Sequence, residues 1–113
     1  MVKQSKKDKF AVILVTAPNV NSARNIAKKA LEEKLIACAN IVPKIESHYW
    51  WEGKIEKSNE VLLIMKTTVT NVKSLEKTVL SSHPYKTPEF IVLKFSDGFQ
   101  GYLDWITESI DGK

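Results

Sequence analysis

The stretch IACANIVPKIESHYWWEGKIEKSNEVLLIMKTT (residues 36–68) reads as a long strand, a tight turn at Glu52-Gly53 and a returning strand. About 14 residues at roughly 3.3 Å each make an arm of about 45 Å. A compact domain of this chain length has a radius of gyration of roughly 13 Å and is only about 35 Å across. The arm therefore has to project beyond its own domain. Its tip carries Tyr49, Trp50 and Trp51. Neighbours on a strand point to opposite faces, so the two tryptophans cannot enter one core. Burying one Trp, at about 200 Å² and 25 cal/mol per Å², stabilises by up to about 5 kcal/mol, and a neighbouring subunit is the expected cover. Pro43 lacks the amide that a central ladder needs, which puts its strand at an edge or gives it a bulge.

The rest of the chain supplies a frame for that arm. FAVILVT (residues 10–16) is a short β-branched run of the kind found in strands covered on both faces. Between Asn21 and Lys34 the residues Ala23, Ile26, Ala27, Ala30 and Leu31 recur at helical spacing, with Asn19 or Asn21 as the cap. A second helix is expected from about Thr70 to Ser82, with Val72, Leu75, Val79 and Leu80 on one side, ended by the Pro84 that follows His83. EFIVLKF (residues 89–95) is a further strand, Asp97-Gly98 a turn, and GYLDWITESI a closing helix with Leu103, Ile106 and Ile110 inward. This order predicts an α+β, ferredoxin-like split βαβ sandwich, βαββαβ plus a C-terminal helix. It forms a single domain over residues 10–113 behind a flexible basic arm over residues 1–9.

In such a sandwich both main helices cover the same face of the sheet. Strand one, Val61 to Met65 and Phe90 to Phe95 are nevertheless apolar on both faces. The final helix is too short to shield the whole second face, so burial between subunits is expected.

Composition narrows the function. The chain of 113 residues is 43% hydrophobic and 27% charged, the profile of a soluble globular domain. The first nine residues hold four lysines against Asp8, and the rest of the chain is close to neutral under a formal charge of +4. No later segment is a basic stripe with interleaved aromatics, so no nucleic-acid partner is expected. No apolar run nears the roughly 20 residues of a membrane span, and the start lacks the apolar centre of a signal peptide, so a cytoplasmic protein without membrane insertion is expected. One cysteine, Cys38, excludes an internal disulfide. Nucleophile elbow, Gly-rich phosphate loop, HExxH and CxxC motifs are all missing, and the chain is not expected to be an enzyme.

LVTAP, the hairpin sequence from LIACANIVP to IMKT, HPYKTPEFIVL and GYLDWI, collinear with the expected elements, resemble the CutA family of divalent-cation tolerance proteins. The resemblance implies a homotrimer similar in assembly to the PII signalling proteins, with hairpins crossing subunit boundaries and Tyr49, Trp51 and Trp105 at the trimer interface. It implies tolerance of, and binding to, copper or other divalent metal ions. Bacterial members place copper ligands on a cysteine before TAP and a His-His pair before Pro-Tyr. Those positions are Val15, Ser82 and His83 here, leaving His83 as the direct carry-over, with Cys38 as a soft thiolate donor. It also places Lys66, Tyr85 and Glu89 at an intersubunit cleft, and Glu60, which flanks the apolar run of the returning strand, is expected at the same boundary. The alternative reading is a PII-like signalling or scaffold trimer that binds a small anionic ligand or a partner protein in that cleft.

Overall fold

A computed structural model describes residues 7–111 of the chain. β1 (Phe10–Ala17) leads into α1 (Val20–Glu32), followed by β2 (Cys38–Trp51) and β3 (Lys54–Thr68). A 3-10 turn (Val69–Asn71), α2 (Val72–Ser82), β4 (Ile91–Phe95) and α3 (Gln100–Asp111) complete the described chain. The four strands form one antiparallel sheet in the order β2-β3-β1-β4. This is the expected α+β plan, with the hairpin strands side by side and β2 at the edge. Of the arm expected over residues 1–9, residues 1–6 lie outside the described residues, and the Lys9 carbonyl accepts a hydrogen bond from Val69 N–H at 2.9 Å.

Local chemistry explains the element ends. Asn19 caps α1 by accepting from Ser22 N–H at 2.8 Å, and α1 stops before Lys34, whose φ of 58° leaves the right-handed region. His83, ahead of Pro84, turns extended at φ −82° and ψ 137° and ends α2. At the hairpin tip Glu52 and Gly53 both take positive φ (48° and 78°), the pattern of a two-residue turn that matches strand twist. Pro43 sits in a register shift between Val42 and Ile45, where β2 spends one more residue than β3, so edge position and bulge are both realised.

The main core lies between the sheet and the first two helices. Odd-numbered side chains of β1 and β3 (Ala11, Ile13, Val15, Leu63, Met65) pack against Ile26, Ala27, Ala30, Leu75 and Val79. Leu31 and Leu80, expected inward, are exposed instead, because each lies one residue past the buried stripe of its helix. Thr67 is buried with its hydroxyl donating to the Leu35 carbonyl at 2.6 Å.

The second face is built from even-numbered residues and is only partly covered. At one end α3 lays Leu103, Ile106 and Ile110 against Phe10 and Phe95, whose rings stack at 5.6 Å. Beyond α3 the face continues as Val12, Leu14, Leu62 and Ile64, which are half-buried. Ile91 (43% exposed) and Leu93 (50% exposed) extend it, and no described element covers them. Past the bulge, β2 and β3 run on as a two-stranded arm, and the molecule measures 51 × 38 × 22 Å with a radius of gyration of 15.7 Å. The compact value for this length is about 13 Å, so the arm projects as its length required.

Candidate functional site

The pairing of β2 with β3 sets which polar side chains meet. Register places Cys38 opposite Lys66, and Ile45 opposite Glu60 beyond the bulge. Cross-strand partners share a face, so two separate polar clusters arise, six residues apart on β3. That spacing is about 20 Å.

The first cluster surrounds the base of the arm. Tyr85 donates its hydroxyl to Glu60 Oε2 at 2.7 Å. Burial, followed by the hydrogen bond to Glu60 and its charge, pushes the Tyr85 phenol far above its ordinary value, so it remains a donor. Burial first, and the Glu60 carboxylate second, also raise the Glu89 carboxyl. Glu60, Tyr85 and Glu89 thus lie together within one chain, and Tyr49 contributes to the field on Tyr85. Lys66 does not join them within one chain.

His83 stands beside this cluster, its ring 4.8 Å from that of Tyr85. The ring is 9% exposed, and both nitrogens are engaged. Nδ1 accepts from the Tyr85 backbone N–H at 3.0 Å, and Nε2 lies 2.7 Å from the Thr16 carbonyl oxygen. A backbone N–H can only donate and a carbonyl can only accept, so Nε2 carries the proton and donates. His83 could ligate a metal only by giving up one of these bonds.

The second cluster lies where β2 begins and β3 ends. Lys66 Nζ is 3.7 Å from Cys38 Sγ and donates to Asn40 Oδ1. Asn40 Oδ1 is also 3.6 Å from Sγ, and the Tyr102 hydroxyl reaches within 4.0 Å of it. Burial first, and Cys38 second, raise the Tyr102 phenol. Tyr102 stacks on Trp105 at 5.5 Å, and both remain about 40% exposed on α3. Asn40 and Tyr102 carried no signal in the sequence as site residues. Asn40 follows from the register, two residues along the strand from Cys38, whereas Tyr102 depends on how α3 docks.

Cys38 and His83 are not brought together. His83 binds the carbonyl of Thr16, the partner of Leu62, while Cys38 pairs with Lys66, four residues or about 13 Å along β3. Among the described residues no three His, Cys, Asp or Glu side chains are grouped to hold a metal ion. The residues expected at the interface lie on open surface. Trp51 (58% exposed) and Tyr49 alternate onto the face of Ile45 and Glu60, and Trp50 (72% exposed) joins His48 and Ile55 on the other. His48 Nε2 pairs with Glu46 at 2.7 Å.

Comparison with known proteins gives a consistent answer. The sequence model of the CutA1 divalent ion tolerance proteins matches residues 11–109. The divalent-cation tolerance protein CutA of Escherichia coli O139:H28 is 43% identical over 108 residues, spanning 96% of both chains. Among solved structures, CutA1 from Oryza sativa is 42% identical with a TM-score of 0.87, covering 93% of this chain and 96% of that one. CutA from Xylella fastidiosa is 36% identical with a TM-score of 0.88, covering 91% and 99%. With the fold, the long hairpin and nearly the full length in agreement, the chain belongs to the CutA1 family of divalent-ion tolerance proteins.

Proposed function

We propose that the protein acts as a homotrimer that binds divalent cations, copper first, between its subunits, as a binding protein rather than an enzyme. The observation that supports assembly is the apolar strip of the second face, from Val12 and Leu14 to Ile91 and Leu93, left open in one chain beside an arm whose Tyr49, Trp50 and Trp51 are exposed. A second copy of the same face and arm would cover both, and the number three comes from the resemblance to the family.

The metal reading rests on the family to which the chain belongs and on donor chemistry. One chain does not gather a ligand set among the described residues, so the donors have to come from more than one subunit. Cys38 supplies a soft sulfur, half-buried at the edge of the open face. His83 is already committed to Thr16 and Tyr85. The anionic-ligand alternative loses its cation in this arrangement, because the Glu60 carboxylate acts on Glu89 while Lys66 lies with Cys38.

Calorimetric titration of copper into the wild type, Cys38→Ala and His83→Ala tests this, with sedimentation run in parallel. The expected result is a species of three times 12.8 kDa that takes up copper and loses most of that uptake in Cys38→Ala alone. A monomer at micromolar concentration, or no heat in the wild type, would overturn the proposal.

A further inference from the structure

The Lys66 amine and the Cys38 thiol form a pairing that no structural need accounts for. Opposite register brings their backbones together, and Asn40 Oδ1 accepts from Nζ, holding the amine 3.7 Å from Sγ. The sulfur is half-buried within one chain, and Tyr102 approaches it from α3. Neither residue belongs to the hydrophobic core. We propose that this pair is a site of reversible oxidative cross-linking, in which a peroxide converts Cys38 and Lys66 into a covalent S–O–N bridge joining β2 to β3.

The chemistry balances in two steps. In the first, the Cys38 sulfur attacks hydrogen peroxide. The O–O bond breaks, an S–O bond forms, and the thiol becomes a sulfenic acid with release of one water. In the second, the N–O bond forms between the Lys66 nitrogen and the sulfenic oxygen. A second peroxide takes up the two electrons, leaving as two waters, and the ammonium gives one proton to solvent. Sulfur and nitrogen are each oxidised, and two peroxides are reduced. Two dithiols can reverse the sequence, restoring thiol, amine and one water.

The flexible stem of Lys66 and the cross-strand register let the amine close the remaining gap without moving the sheet. A sulfenic acid held in this position meets an amine before it meets a second thiol, because Cys38 is the only cysteine of the chain. The bridge would consume the sulfur that the metal reading assigns as a donor. The chemistry itself stands whether or not Cys38 ever binds a cation.

The test is mass spectrometry of the full-length protein after hydrogen peroxide, with tryptic mapping before and after dithiothreitol. One oxygen gained and two hydrogens lost add about 14 Da, distinct from the steps of about 16 Da of sulfenic, sulfinic or methionine oxidation. The expected product is peptide 35–44 joined to a peptide carrying an uncleaved Lys66, present in the wild type, released by dithiothreitol, and missing from Lys66→Met and Cys38→Ser. Steps of about 16 Da alone, a disulfide between two chains as the main product, or a 14 Da gain that persists in Lys66→Met would each overturn the proposal.

Discussion

At His83 the two ring nitrogens hold together three pieces of backbone: the end of α2, the Tyr85 amide and the carbonyl of Thr16 in β1. His83→Ala removes both bonds from a buried position, and urea denaturation should show a loss of about 1–3 kcal/mol. Nearby, Glu89 gains proton affinity on folding through burial and the Glu60 carboxylate. The folded state therefore binds more protons there than the unfolded chain, and this group lowers stability as pH rises from the ordinary carboxylate value through its folded value. Glu89→Gln should melt above the wild type at pH 7 and match it near about pH 4. The sequence named Glu60, Tyr85 and Glu89 together with Lys66, but not the division that sends Lys66 to Cys38. That division depends on register, which no single residue type announces. His83 was visible as a helix terminator from Pro84 alone, whereas its hydrogen-bond partners come from elements distant in the chain.

The elements themselves follow their local rules closely, since turn chemistry, capping and alternation all point the same way. The tip turn is the exception. Type I′ geometry asks for positive φ at both central residues, which Gly53 accepts freely and Glu52 does not. Glu52→Asn should raise stability by about 0.5 kcal/mol. Gly53→Ala, whose new Cβ would touch nothing within 4 Å, should lower it by about 1 kcal/mol through backbone strain alone. Paired urea curves would read both. Leu31 and Leu80 mark where periodicity ran out: a stripe at helical spacing drifts off the buried face by its last member, and only packing decides where it stops.

For the whole molecule, the open second face separates folding from assembly. Leu93 is half-exposed and lies in the apolar strip that α3 leaves uncovered. If the chain assembles as the trimer proposed above, Leu93→Asp should leave its far-ultraviolet spectrum unchanged while sedimentation shifts to monomer. A variant that stays trimeric would move the interface elsewhere. The long arm was readable as a projection from counting residues, because strand rise and domain size are nearly fixed quantities. What covers its tip was not, because one chain holds only half of any interface. The bulge at Pro43 has a consequence for that interface. Alternation makes a strand a two-beat rhythm, and the bulge takes up the single extra residue between Val42 and Ile45, keeping every residue beyond it in phase with β3. Removing Lys44 would make the ladder regular, with Pro43 opposite Val61 and Ile45 still opposite Glu60, and would leave Tyr49 and Trp51 on the side they now present. Removing Pro43 and Lys44 together would slip the ladder by one residue, turning His48 and Trp50 toward the side now presented by Tyr49 and Trp51.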